Sequence, residues 1–237
     1  MAEKALSVII PTYNEEKFIG RCLRALLIQT LPKELYEIIV VDGYSTDRTR
    51  EIASRYADKV ILQARRGVGG ARNDGAEAAC GEILVFTDAD TIAPRNRLER
   101  IWSWFKENPD LCAVCGPDLP LDGGRVLAAL YRGINWFSRI TALMGFPGTR
   151  GTNTAVRREV FLKVGGYTDY PLCDDVELGL RLRKLCRVQY DPGLIMYMSS
   201  RRFRKYGVMK VLKDWIRGDV FLLLGRRTHG SYQRQQY

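Results

Sequence analysis

The sequence predicts an α/β protein with a mostly parallel sheet flanked by helices and a helical, basic C-terminal extension. Three observations predict it. Short apolar strands alternate with amphipathic helices through the first 118 residues, the pattern of a parallel sheet covered on both faces. The residues after three of those strands are acidic, and ligands of such sheets bind beyond the carboxyl ends of the strands. From Ser200 onward ten Lys/Arg stand against two acids, so +8 of the net charge of +10 lies in the last 38 residues.

The elements follow in order. Ser7-Val8-Ile9-Ile10 is an apolar strand ended by Pro11. Phe18, Ile19, Cys22, Leu23, Leu26 and Leu27 recur at three- and four-residue steps, the stripe of an amphipathic helix. Residues 38–41 form a second strand and residues 46–56 a second helix, with Ser45 or Thr46 as its cap. Residues 60–62 are a third strand, 69–80 an alanine-rich third helix and 83–86 a fourth strand. Leu98, Ile101, Trp102 and Phe105 mark another helix, and residues 111–115 another strand. Residues 126–144 read as a long, aromatic-rich helix before the loop Gly145-Phe146-Pro147-Gly148, after which the alternation loses its regularity.

Composition excludes several classes. At 237 residues, 46% hydrophobic and 27% charged, without repeats or low-complexity tracts, the chain is neither disordered nor fibrous. No apolar stretch is long enough to cross a bilayer, and residues 1–5 are no secretory leader, so a cytoplasmic protein is expected. The six cysteines lack the spacing of a disulfide framework. Cys112 and Cys115 form a C-x-x-C inside an apolar run, and His229 is the only histidine. The pair therefore reads as small buried thiols in a strand rather than a zinc or redox site.

The acidic strand ends carry the chemistry. They read Pro11-Thr12-Tyr13-Asn14-Glu15, Asp42-Gly43-Tyr44-Ser45 and Thr87-Asp88-Ala89-Asp90. Two carboxylates two residues apart at a strand end suit Mg2+ or Mn2+, which use one or two protein carboxylates together with substrate phosphates. For the Asp88-Ala89-Asp90 triplet alone, the alternative is a solvated turn.

These segments together resemble the family 2 glycosyltransferases of the GT-A fold. The resemblance extends to Gly151-Thr152-Asn153-Thr154-Ala155-Val156-Arg157-Arg158, Gly165-Gly166-Tyr167 and Asp174-Asp175-Val176-Glu177-Leu178, and covers about residues 6 to 190. It implies a Rossmann-like GT-A sheet and inverting transfer of a sugar from a UDP- or GDP-linked donor. Pro11, Thr12, Tyr13, Glu15, Asp42, Ser45, Arg72, Asn73, Asp88 and Ala89 would line the nucleotide-sugar pocket. Asp90, with Asp88, would bind the metal bridging the two phosphates. The general base would be Asp175, with Asp174 as second choice; the alternative for this pair is a carboxylate favoured by a helix N-terminus. Residues 1–118 would be the nucleotide-sugar-binding half, 119–200 the acceptor-binding half, and 201–237 the basic extension.

The sequence departs from the family in two places. Tyr44 stands where a second glycine is usual, so that loop is expected to differ in shape. Tyr197-Met198-Ser199-Ser200-Arg201-Arg202 stands where many relatives carry a histidine. Arg201, Arg202 or Arg204 would then neutralise the diphosphate, the alternative being a solvated basic face.

In the tail, Val208, Val211, Leu212, Trp215, Ile216 and Val220 follow helical spacing between Lys210, Lys213 and Arg217. This stripe either closes the core or lies on an anionic membrane as a peripheral contact at its inner face. In the latter case a lipid-linked acceptor is expected, with Trp136-Phe137 as a second contact. Nucleic acid is not an expected partner, because acidic strand ends repel its phosphates. Gly67-Val68-Gly69-Gly70-Ala71-Arg72 fails the dinucleotide fingerprint at Arg72 and follows the third strand rather than opening the first βαβ unit. A nucleotidyltransferase, which also combines metal, carboxylates and nucleotide, remains the nearest alternative.

Overall fold

The computed structural model describes residues 4–143, 149–169 and 173–223. Its elements run β1 (Leu6–Thr12), α1 (Ile19–Leu27), β2 (Tyr36–Asp42), α2 (Thr49–Ala53), β3 (Lys59–Leu62), α3 (Gly67–Ala78), β4 (Ile83–Phe86) and β5 (Thr91–Ile92). They continue with α4 (Arg97–Glu107), β6 (Leu111–Cys115), β7 (Asp118–Pro120), α5 (Gly124–Leu143), β8 (Thr154–Arg157) and α6 (Arg158–Lys163). The last are α7 (Asp174–Arg183), β9 (Arg187–Tyr190), β10 (Met196–Met198), α8 (Arg201–Tyr206) and α9 (Val208–Leu223).

Seven strands form the main sheet in the order β3-β2-β1-β4-β8-β6-β9. β3, β2, β1 and β4 are parallel, as the alternating pattern requires, while β8 runs antiparallel to both β4 and β6. Successive strand residues point to opposite faces, and both faces are dry. Val8, Ile10, Ile38, Val40 and Val85 pack against Leu23 and Leu26 of α1 and Ile101 and Phe105 of α4. Ile9, Ile39, Val41, Leu84 and Phe86 pack against Ala71 of α3, Phe161 of α6 and Leu178 of α7. The second face is tight. A Cβ on Gly75 of α3 would come within 2.4 Å of Ile9 Cγ2, so glycine there sets how closely α3 approaches β1.

A three-stranded sheet, β5-β10-β7, stands beside the main one. Nothing in the sequence pattern announces it, because two- and three-residue strands show no periodicity. It holds the register Tyr197↔Ile92 and Met198↔Thr91, which sets the residues after β10 opposite those before β5. Beyond it, α5, α8 and α9 enclose a small core of Leu127, Tyr131, Phe203 and Val211, with Val208 and Trp215 packed against it.

Three expectations need correction. The second helix is confined to α2, and neither Ser45 nor Thr46 caps it. Ser45 instead donates its hydroxyl to Asp42 at 2.5 Å, and the Thr46 N–H is taken by Asn14 Oδ1 at 2.8 Å. Cys112 is not a free thiol: it is disulfide-bonded to Cys186, with 6.0 Å between the Cα atoms. The two lie 74 residues apart and meet because β6 pairs with β9 from Leu111↔Arg187 onward. Cys115 is buried and stands outside that disulfide, as read from the sequence. The Gly145–Gly148 loop and Phe221–Leu224 lie outside the residues whose side chains are described.

Candidate active site

The parallel register brings the three acidic strand ends to one edge, and the chain beyond each is locally fixed. After β1, Asn14 turns with φ +54° and its N–H is taken by Ser45 Oγ at 2.9 Å. After β2, both Asp42 oxygens are engaged by Ser45, from its N–H at 2.9 Å and from its hydroxyl. Asp42 is wholly buried, so its carboxylate shapes the loop that borders the pocket. Tyr44 sits at φ +67° and exposes its ring. It thus holds a left-handed backbone, one that glycine adopts without strain. A third non-glycine residue in this region, Cys173 at φ +61°, immediately precedes Asp174. Left-handed backbone at such residues is costly and persists where the surroundings enforce it.

At the third strand end, Thr91 donates N–H and hydroxyl to the Asp88 carbonyl, closing the Asp88-Ala89-Asp90 turn. Both acids therefore face the edge, with Ala89 buried between them. Each is met by an arginine, Arg72 buried and Arg201 part-buried. Arg72, from α3, donates to Asp88 Oδ1 at 2.9 Å and lies 3.6 Å from Asp174 Oδ2, with its guanidinium 5.2 Å from the Tyr167 ring centroid. Arg201, opening α8, brings Nε to 2.9 Å from Asp90 Oδ2 and forks onto both oxygens of Glu15. Burial, with repulsion from Asp88 and Glu15, pushes Asp90 up to about 7 against the pull of Arg201. Burial likewise raises Glu15 and pushes Asp174 up to about 6, with Arg72 opposing and Asp175 adding to the rise.

The other expected site residues separate clearly. Thr12 is buried beneath the edge and Tyr13 half-buried at it. Asn73 exchanges two hydrogen bonds of 2.8 Å with the Tyr167 backbone. Asp175 is oriented by the N–H groups of Gly151 at 2.8 Å and Val176 at 2.9 Å. Of the three tail arginines, Arg201 reaches the acidic edge. Arg202 lies 5.9 Å over the Trp215 ring, and Arg204 pairs with Asp122 at 2.8 Å. The sequence reading missed Phe18, whose ring lies 4.7 Å under the Arg201 guanidinium. Its place in the first helical stripe marked it only as core. It also missed Asn153, wholly buried, which ties Arg97 of α4 to the carbonyls of Pro117 and Leu194.

Among the described residues no three His, Cys, Asp or Glu side chains are grouped to hold a metal by themselves. What the edge offers is Asp90 and Asp88. That donor set fits Mg2+ or Mn2+ sharing its coordination with substrate phosphates and fits no closed structural site.

A twisted sheet of this order, carrying an acidic turn after β4 and an acidic helix start at α7, defines the GT-A class of glycosyltransferase. The model of glycosyl transferase family 2 matches residues 7–165, and the chain belongs to that family. It is 27% identical over 236 residues to the probable glycosyltransferase YdaM of Bacillus subtilis, covering 92% of this chain and 56% of YdaM. In fold it matches the Pyrobaculum calidifontis mannosyltransferase PcManGT, solved with GDP-Man and Mn2+, at a TM-score of 0.73 and 24% identity. That match covers 95% of this chain and 65% of PcManGT. It also matches Staphylococcus aureus TarS (residues 1–349), solved with UDP-GlcNAc, at a TM-score of 0.67 and 21% identity, over 83% of this chain and 59% of the TarS chain. The chain thus spans little more than half the length of YdaM.

Arg72 is the buried counter-charge of Asp88 and Asp174, and its loss leaves two carboxylates facing each other. Arg72→Ala is expected to lower stability by about 3 kcal/mol, the low end for a broken buried pair because Asp88 is part exposed. Urea unfolding checks this; an unchanged midpoint contradicts it.

Proposed function

We propose that the chain transfers a sugar, with inversion, from a nucleoside diphosphate donor to an acceptor hydroxyl or lipid phosphate, with a divalent metal at Asp90 and Asp175 as general base. The observation that carries this reading is the meeting of Asp88, Asp90 and Glu15 with two arginines beyond the carboxyl ends of β1 and β4. Like charges gathered and held part-buried in a family 2 glycosyltransferase suit a ligand that arrives with its own cation. The GDP-Man and Mn2+ of PcManGT and the UDP-GlcNAc of TarS support the same donor class.

In this reading residues 1–118 hold the nucleotide. Tyr13 borders the base and ribose, the Asp42–Ser45 loop closes the pocket, and Asp88 approaches the ribose. Asp90, with Asp88 nearby, holds the metal, which stabilises the charge gathering on the diphosphate as the sugar departs. The acceptor enters from the side of residues 119–200. Its oxygen forms the new bond to the anomeric carbon as the bond to the diphosphate breaks. The acceptor proton passes to Asp175, and the electron pair leaves with the nucleoside diphosphate. Asp175 suits the base because the Gly151 and Val176 N–H groups fix its direction. Asp174 is committed to Arg72 on the nucleotide side.

Among the described residues no helix is long and apolar enough to cross a membrane. The stripe of α9 divides its work. Val211 and Trp215 close the small core, while Met209 and Ile216 stand exposed beside Lys210, Lys213 and Arg217. On α5, Trp136 and Phe137 are 67% and 63% exposed, in a helix carrying Arg125, Arg132 and Arg139 at seven-residue intervals. Exposed aromatic and aliphatic side chains among arginines and lysines match the anionic leaflet at the cytoplasmic face, which would bring a lipid-linked acceptor to this side.

Three measurements test these assignments. Calorimetric titration of UDP and of GDP is expected to show binding of one nucleotide that requires Mn2+ and is lost in Asp90→Ala; equal heats in the variant would remove the metal from Asp90. Asp175→Asn is expected to lower kcat by about 10^2 to 10^4 while nucleotide still binds. Full turnover in that variant with none in Asp174→Asn would transfer the role to Asp174. Vesicles containing phosphatidylglycerol are expected to sediment the protein at low salt, pure phosphatidylcholine vesicles not, and Trp136→Ala/Phe137→Ala to weaken the effect. Equal recovery with both lipids would end the membrane reading.

A further inference from the structure

The site contains a cation of its own, placed where the metal is expected. Arg201 Nη1 donates to Glu15 Oε2 at 2.6 Å and Nη2 to Glu15 Oε1, while Nε lies 2.9 Å from Asp90 Oδ2. The Phe18 ring supports the guanidinium at 4.7 Å, and the side chain is only 14% exposed. The backbone fixes this seat. Antiparallel pairing of β10 with β5 continues into a hydrogen bond of 3.1 Å from the Ser199 N–H to the Asp90 carbonyl, two residues before Arg201.

A divalent ion at Asp90 would share that one carboxylate with this guanidinium. Two cations within contact distance repel, and the repulsion is little screened at a buried site. A metal would gain Asp90 against this repulsion, and relieving it by displacing Arg201 would strand Glu15 as a buried carboxylate without its partner. A diphosphate changes this balance, because its oxygens offer the planar guanidinium a bidentate anionic partner.

We infer that Arg201 is a latch: without nucleotide it occupies Asp90 and keeps a divalent metal off. When metal and donor arrive together it moves onto the diphosphate. This rests on the metal-assisted reading above and adds to it an order of binding and the residue that enforces it. The coupling is reciprocal: nucleotide tightens metal binding by the factor with which metal tightens nucleotide, and the latch contributes part of that factor.

The test is the electron paramagnetic resonance signal of free Mn2+, titrated with the full chain alone and with UDP or GDP. It compares the wild-type chain with Arg201→Gln and, as a milder change that keeps a cation, Arg201→Lys. Without nucleotide, Arg201→Gln is expected to bind Mn2+ about tenfold more tightly than wild type, with Arg201→Lys between them. The tightening produced by nucleotide is expected to shrink accordingly. If wild type shows nucleotide-dependent Mn2+ binding but neither variant gains affinity for Mn2+ alone, the latch is overturned and the metal-assisted reading stands. If wild type binds no Mn2+ with either nucleotide, both fall together.

Discussion

Four carboxylates, Glu15, Asp88, Asp90 and Asp174, are forced toward one edge by the parallel topology, and two arginines make that arrangement tolerable. Each buried charge costs several kcal/mol unless it is paired. Arg72 answers Asp88 and Asp174 from one side, and Arg201 answers Asp90 and Glu15 from the other. Much of the architecture serves to deliver these two side chains. α3 can bring Arg72 to the edge because Gly75, one turn further on, lets the helix lie almost on Ile9. α8 can bring Arg201 because the small sheet ties the end of β10 to the Asp90 turn. Remove either delivery and the acids repel one another in a dry place.

The first half of the molecule was legible because its signals are local. Val8 and Ile10 against Ile9, and Ile38 and Val40 against Ile39 and Val41, are apolar on both faces, which only a strand covered on both sides requires. Such strands point to one edge, and Asp42, Asp88 and Asp90 could be placed there by counting. In the second half the helices α5 and α9 showed in their spacing, but the strands did not. β8 enters antiparallel and the β5-β10-β7 sheet is built from strands of two and three residues, too short for any periodicity to show. For the same reason the Cys112–Cys186 bond, which depends on β6 lying beside β9, had no signature in cysteine spacing. The amide of Asn73 exchanges hydrogen bonds with the Tyr167 backbone, a partner 94 residues away that a motif on α3 cannot reveal.

The three left-handed residues qualify what Tyr44 means. Asn14, Tyr44 and Cys173 each stand at the border of the site, one after β1, one after β2 and one before α7. Asparagine tolerates that backbone, but tyrosine and cysteine do so at a cost. The loop keeps its shape because Asp42 clamps Ser45 on one side of Tyr44 and Asn14 holds Thr46 on the other. Conformation here is dictated by the hydrogen bonds around the residue rather than by its own preference. Where a glycine is usual, Tyr44 puts an exposed aromatic ring on this loop.

The position of Arg201 also joins two regions that the sequence presents as separate. α8 is six residues long, with Arg201 at its start and Phe203 two residues on. Phe203 packs edge-on against Tyr131 of α5 and Trp215 of α9, so it belongs to the small core beneath the exposed residues of those helices. The backbone from which Arg201 reaches Asp90 and Glu15 is thus anchored, two residues on, by the ring that closes the α5–α8–α9 core.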